Sequence, residues 1–225
     1  PIYALFTAAF FSDNQVIVIL SLYIIGIIVG IIFAYFMKFF VFKGQPVPFV
    51  MELPNYRMPS PMNVYRLIYT KSKDFITRAF TIIFFATILI WFLQTFDTRL
   101  NLVTDSADSM LAGLGSLFVP IFKPLGISDW RISTAFLTGF MAKESEVSTL
   151  SVLLGGNTDM LPQLFTKLTA FVFLVFSLLY TPCVAAIATV RRELGRKYAV
   201  LVILLQCSIA WVVAYIVYTI GKLLV

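Results

Sequence analysis

Three charged side chains lie close together in a chain whose neighbouring stretches are apolar. The segment from Thr138 to Leu150 reads TGFMAKESEVSTL and contains Lys143, Glu144 and Glu146. Charged groups at the depth of a bilayer cost several kcal/mol each unless they pair or face water. The cluster therefore predicts a functional site. The alternative is a structural ion pair between Lys143 and Glu146, which lie three residues apart on a predicted helix.

A second segment, YTPCVA from Tyr180 to Ala185, interrupts a later apolar run. Pro182 lacks a backbone N–H and frees a carbonyl about one turn earlier in the helix. That carbonyl, the Thr181 hydroxyl and the Cys183 sulfur would converge in the middle of the run. A thiolate together with a carboxylate suits a borderline divalent metal better than sodium or magnesium. The alternative is that Cys183 is a small buried apolar side chain.

The residues around the charged cluster define a candidate transport pathway. Gly139 keeps one side of the segment small, and Ser148 follows Glu144 by one helical turn. Glu144 and Glu146 point to different sides of a helix, so one would face the pathway while Lys143 neutralises the other. The candidate metal ligands are therefore Cys183 and one of the two glutamates, Glu144 or Glu146, with Met141 as a further ligand if Cys183 only packs. The candidate pathway residues are Lys143, Glu146, Thr181, Pro182, Gly139, Ser148 and Met141.

The composition predicts an all-α integral membrane protein. Of the 225 residues, 60% are hydrophobic and 12% are charged, and the mean hydropathy is +0.94. A soluble domain has about half its residues apolar and about a quarter charged. The net charge of +6 comes from basic residues in particular loops, which indicates membrane topology and not nucleic-acid binding. The absence of His excludes a His-based metal site and Ser-His catalysis within this chain.

Apolar runs, prolines and charge asymmetry divide the chain into five parts. Basic residues dominate 38–78 and 191–197, which places both on the cytoplasmic side, whereas the acidic segment 97–129 is expected outside. The predicted parts are a first transmembrane helix with its flanks (1–45), a cytoplasmic elbow and interfacial helix (46–78), a transmembrane helix (79–96), an extracytoplasmic loop with an interfacial helix (97–129), and the remainder with broken helices and a final transmembrane helix (130–225).

The sides of the membrane assigned to the loops also require one segment that does not cross as a single continuous helix. An outside loop at 97–129 and an inside loop at 191–197 need an odd number of crossings between them. If 168–190 crosses once, then 130–154 must enter and return on the same side, or the break at Pro182 must turn the chain back. Non-helical backbone is tolerated at membrane depth only inside protein or beside a water-filled cavity, and transporters place substrate sites at broken helices. We therefore expect a polytopic helical bundle with at least one broken or re-entrant helix.

Four blocks resemble the C-terminal membrane half of the bacterial ferrous iron transport protein B family, including its second Gate motif. They are YALFTAAF from Tyr3, PFVMELPNYRMP from Pro48 to Pro59, the TGFMAKESEVSTL segment, and LLYTPCVAAIATVRRE from Leu178 to Glu193. The resemblance implies a multi-pass protein of the bacterial inner membrane that takes up Fe(II) as its substrate. It also implies the partners: the lipid bilayer, the rest of its polypeptide with a G domain and first Gate motif, further copies of itself, and a small cytoplasmic protein.

The resemblance assigns roles to individual residues. The cysteine of the second Gate motif falls on Cys183, and the Lys–Glu pair of the family falls on Lys143 and Glu144. The resemblance therefore implies that Cys183 and Glu144 are the metal ligands and that Lys143 is the charge partner of Glu144. Glu146 departs from the pattern, since we expect an apolar residue there. The chain has no G-x-x-x-x-G-K-[ST] motif, so it is not expected to be an enzyme, and GTP would bind only through a domain absent from it. Because residue 1 is Pro, we expect the chain to be a piece of a longer protein.

Two other classes of function remain open at this point. A transporter of nucleosides or similar solutes should offer several amide and aromatic groups near the break, where only Tyr180 lies close. A membrane scaffold subunit that transports nothing would use the charged cluster for packing, but it would not need a Pro–Cys break beside a buried carboxylate. An intramembrane enzyme is the least supported, because the sequence contains no visible nucleophile–base arrangement.

Overall fold

The structure, a computed structural model, describes residues 2–40, 58–103, 105–155, 160–180 and 183–224. These residues are almost entirely helical, which confirms the predicted all-α class. The α-helices are α1 Ile2–Phe10, α2 Gln15–Phe40, α3 Pro61–Thr95, α4 Met110–Phe122, α5 Trp130–Met141, α6 Glu144–Leu153, α7 Leu161–Leu164, α8 Lys167–Leu179, α9 Val184–Leu194 and α10 Arg196–Leu224.

Several of these helices meet the requirements of a membrane span. Gln15–Phe39 and Arg196–Leu223 lie within the described ranges and are long and apolar enough to cross. The stretch Lys167–Leu194 meets the same test, but it includes two residues outside those ranges between α8 and α9. A fourth span results if Met110–Leu125 and Trp130–Met141, which meet at 105°, form one broken span. The expectation of a polytopic membrane protein with a broken or re-entrant helix is therefore confirmed.

The helix α3 is longer than the sequence suggested. Ser60 caps its first turn by accepting a hydrogen bond from the backbone N–H of Asn63, and Pro61 occupies the first helical position, where a missing N–H costs nothing. Because 62–95 contains neither Gly nor Pro, the interfacial helix and the span predicted on either side of residue 78 form one continuous helix. That 79–96 crosses the membrane stays a prediction, and most of the elbow before residue 58 lies outside the described residues.

Tight turns bring the chain from α3 through α4 into α5. Asp97 accepts hydrogen bonds from the backbone N–H groups of Asn101 and Arg99, which hold the pKa of this exposed carboxyl below its usual range. Between α4 and α5, Gly126 has φ of 78°, a conformation that glycine adopts without strain. At Gly115 a Cβ would collide with the Thr134 side chain, so α4 and α5 pack in close contact.

A cluster of phenylalanine rings positions the helices that carry the candidate site. Phe173 of α8 is fully buried and lies at its centre. Its ring centroid is 4.7 Å from that of Phe6 in α1, 4.8 Å from that of Phe136 in α5, and 5.3 Å from that of Phe165. Stacked and edge-to-face rings attract one another beyond the contribution of their buried area. The cluster therefore fixes α5 and α8 side by side.

Candidate functional site

Each of the two segments that the sequence singled out contains the end of one helix or the start of the next. The helix α5 ends at Met141, Ala142 is extended, and α6 begins at Glu144. The helix α8 ends at Leu179, and α9 begins at Val184. Side chains at the first break contact the last turn of α8, so the two segments that the sequence singled out meet at one place.

Glu146 is the centre of this contact. Its side chain is fully buried and accepts hydrogen bonds from the Ser177 hydroxyl at 2.7 Å and from the Tyr180 hydroxyl. A buried carboxylate is stable only when its oxygens are hydrogen-bonded, and bonds to a charged acceptor are among the stronger ones. Glu146 also lies in the first turn of α6, where the helix dipole favours negative charge. Three independent features therefore hold the carboxylate in place.

Lys143 connects the same break to the end of α8. Its ammonium donates a hydrogen bond to the backbone carbonyl of Ser177 at 2.9 Å and lies 5.0 Å from the centre of the Tyr180 ring. Carbonyls in the last turn of a helix carry partial negative charge that attracts cations, and an aromatic face adds to that attraction. Two of the three charged residues of the cluster therefore contact the end of α8. Glu146 binds side-chain hydroxyls there, and Lys143 binds a backbone carbonyl.

Small and hydroxyl-bearing residues allow this close approach. A Cβ at Gly139 would collide with the side chain of Glu146 and with the hydroxyl of Tyr180, so α5 must carry glycine at this position. The hydroxyls of Thr138 and Thr149 are 2.8 Å apart and hydrogen-bonded to each other. This bond joins α5 to α6 across the break.

We expect Gly139→Ala to destabilise the protein by about 1–3 kcal/mol, the usual cost of overpacking, because the new methyl group displaces Glu146. Thermal unfolding of the purified full-length protein in detergent measures the effect. Gly30→Ala is the matched control, since a Cβ at Gly30 has no heavy atom within 4 Å. Equal unfolding temperatures for the two variants would contradict the packing described at Gly139.

The other predicted site residues lie around this contact. Glu144 and Ser148 are exposed on α6, whereas Met141 is partly buried at the end of α5. Cys183 is partly buried and lies directly before α9. Thr181 and Pro182 lie outside the described residues. In the part of the chain that the structure describes, no three Cys, Asp or Glu side chains form a group that could hold a metal ion.

Sequence reasoning missed the contribution of α8. Ser177 supplies both a hydroxyl to Glu146 and a carbonyl to Lys143, yet it was not among the candidates. A signal was present, because Ser177 precedes Tyr180 by three residues and shares its helix face. A polar pair on one face of an apolar helix indicates a polar partner on the helix opposite.

An apolar cavity adjoins the polar contact. Its volume is about 500 Å³, and it lies between α4, α5, α8 and α10. Tyr180 stands in its wall and so separates it from Glu146. The buried hydroxyl of Ser133 lines the cavity and has no hydrogen-bond partner among the described residues. At the rim, the indole N–H of Trp211 donates to the carbonyl of Ile121 at 2.8 Å and joins α10 to α4.

The fold and the site define a polytopic helical membrane protein of the Gate class, in which broken helices meet through polar side chains. The Gate family profile, described as nucleoside recognition, matches residues 76–197 and so covers both breaks. A second profile, described as ferrous iron transport protein B C terminus, matches residues 19–71. The chain belongs to the ferrous iron transport protein B family.

Curated relatives agree with this assignment. The chain is 35% identical to the Fe(2+) transporter FeoB of Methanocaldococcus jannaschii and 34% identical to that of Staphylococcus aureus, in both cases over its whole length. It is 30% identical, over 99% of its length, to a fusion of Fe(2+) transport protein A with Fe(2+) transporter FeoB in Porphyromonas gingivalis. The chain spans 35%, 34% and 33% of these three relatives. No solved structure matches it significantly.

Proposed function

We propose that this chain forms part of the membrane pathway of a ferrous iron uptake transporter in a bacterial inner membrane. The observation that carries the proposal is the buried Glu146, which joins the break between α5 and α6 to the end of α8 in a chain whose relatives are named Fe(2+) transporters. A buried ionisable residue between broken helices is typical of an ion pathway. The chain spans about a third of the length of these relatives, so the proposal concerns a part of the pathway and not the whole transporter.

Oxygen and sulfur groups supply the chemistry of the pathway. Fe(II) accepts carboxylate, carbonyl and thiolate ligands. We assign Cys183 and Glu144 as ligands that Fe(II) meets in passing. The lining residues are Lys143, Glu146, Thr181, Pro182, Gly139, Ser148 and Met141. Conduction requires that each group along the pathway binds the ion weakly enough to let it move on.

The partners of the chain are also part of the proposal. A G domain elsewhere in the same polypeptide would supply GTP binding, and further copies of the chain would assemble with it. The fused relative of Porphyromonas gingivalis carries Fe(2+) transport protein A on the same chain as its transporter. That fusion supports a separate small cytoplasmic partner of the same kind for this protein.

Nucleoside transport is the second candidate, favoured by the description of the Gate profile. The cavity of about 500 Å³ has room for a nucleobase, and Phe118, Phe136 and Trp211 would stack on it. The polar groups in its lining are Ser133, Tyr180, Cys207 and Ser208, which include no amide side chain. A bound nucleoside would bury several of its sugar and base donors and acceptors there without partners. Each such unpaired group costs about 1–3 kcal/mol.

The test is uptake of radioactive Fe(II) by cells that lack other ferrous transporters and express the full-length protein. We expect Cys183→Ser and Glu144→Gln to lower uptake about tenfold or more at equal membrane abundance, in line with the loss of metal affinity on removing supporting groups. Cys207→Ser is the matched control for the thiol. Normal uptake by Cys183→Ser would mean that the thiol only packs. Uptake of labelled nucleosides without iron uptake would favour the second candidate.

A further inference from the structure

Lys143 occupies an electrostatically unfavourable end of its own helix. It directly precedes Glu144, the first residue of α6, where the helix dipole is positive and repels cations. Its side chain leaves that end and crosses to α8, where the ammonium is partly buried. The position of this charge is therefore determined by the groups that it reaches, and not by the helix that carries it.

The groups around the ammonium are those that bind a cation. The Ser177 carbonyl lies in the last turn of α8, where helix carbonyls lack intrahelical partners. The Tyr180 ring presents its face to the ammonium at 5.0 Å, and the Ser177 and Tyr180 hydroxyls bind the carboxylate of Glu146. In transporters with broken helices, the C-terminal end of a half-helix is a place where the coupled ion is coordinated. Here a lysine fills that place.

We propose that the Lys143 ammonium is a tethered cation, which occupies the position of the transported divalent cation between the two helix breaks and is displaced when that cation binds. The inference rests on the proposed function, because it states which group occupies that pathway while no divalent cation is bound.

Charge repulsion favours displacement of the Lys143 ammonium over binding of the divalent cation beside it. In the described structure the Lys143 ammonium binds the carbonyl of Ser177, and the Glu146 carboxylate accepts a hydrogen bond from the hydroxyl of the same residue. A divalent cation that bound beside Lys143 would bring like charges together in a medium of low dielectric constant, where repulsion is far stronger than in water. Once the ammonium has moved away, the incoming cation takes its place at the Ser177 carbonyl, next to the side chains that bind Glu146. The lysine thereby excludes cations that bind too weakly to displace it.

A purely structural role for Lys143 predicts different behaviour. If the ammonium only caps the last turn of α8, its removal loosens the two breaks and weakens cation binding. If the ammonium is a competitor, its removal strengthens cation binding. The sign of the change in affinity therefore separates the two roles.

The experiment measures binding of Co²⁺, a spectroscopic probe for Fe(II), to the purified full-length protein by visible absorption. We expect Lys143→Met and Lys143→Gln to bind Co²⁺ about tenfold tighter or more, because a hydrogen bond from a charged donor no longer has to be broken. Adding Glu146→Gln to Lys143→Met should remove the gain. Lys167→Met, at the exposed opposite end of α8, is the matched control and should bind as the wild type does.

Each outcome decides the inference. Lys143→Gln keeps an N–H donor for the Ser177 carbonyl, so it serves as the test if Lys143→Met fails to fold. Co²⁺ binding that is unchanged or weaker in the folded variant overturns the tethered-cation proposal, even if wild-type cells take up iron. Tighter binding in the variant together with no iron uptake by the wild type supports the tethered cation and overturns the proposed function. The two proposals therefore fail independently.

Discussion

Glu146→Ala is expected to destabilise the protein by about 3 kcal/mol or more, because the Ser177 and Tyr180 hydroxyls each lose their buried acceptor at about 1–3 kcal/mol. Iron uptake should be lost with it, since the contact between the two breaks no longer forms. Glu146→Gln keeps an acceptor oxygen and most of the volume but removes the charge. We expect it to retain most of the stability and to lose uptake.

The measurements are thermal unfolding of the full-length protein in detergent and Fe(II) uptake at matched membrane abundance. Glu144→Ala is the control for stability, because an exposed carboxylate two residues away should change the free energy of unfolding by no more than about 0.5 kcal/mol. If Glu146→Ala and Glu144→Ala unfold at the same temperature, the buried hydrogen bonds of Glu146 do not stabilise the fold.

Phe173→Ala should have an effect of similar size through packing alone. The ring is fully buried between Phe6, Phe136 and Phe165, and replacing such a ring with alanine costs about 3–5 kcal/mol. Phe80→Ala, at a position 67% exposed on α3, is the control and should cost much less. Thermal unfolding measures both variants. A small effect at Phe173 would mean that neighbouring rings close the cavity, and it would contradict a rigid aromatic core.

The sequence predicted the class of the fold because the signals for it are local. Apolar runs of span length and a break near Pro182 depend on composition and on the missing N–H of proline. The end of α5 was harder to place, because Ala142 and Lys143 are not residues that stop a helix. Ala142 is extended, and Lys143 and Glu146, which follow it, contact α8. Helix propensities describe a residue within its own helix and do not include such contacts with another helix.

The choice between Glu144 and Glu146 needed the tertiary structure. Helical spacing predicts that the two carboxylates point to different sides, and the structure has one exposed and one buried. Spacing does not say which side faces α8, since that depends on the rotation of α6 about its axis. The resemblance drew attention to Glu144, whereas the residue that departs from the expected pattern makes the buried contacts. The roles assigned to both in transport stay predictions.

The hydrogen bond between Trp211 and the Ile121 carbonyl gives the protein an optical reporter. Indole fluorescence responds to hydrogen bonding and to neighbouring rings, and Trp211 also stacks on Tyr215 with the rings 4° from parallel. The chain contains only two other tryptophans, Trp91 and Trp130, and both can be replaced by phenylalanine. The emission of the remaining indole then follows the separation of α10 from α4 in real time while a cation is added.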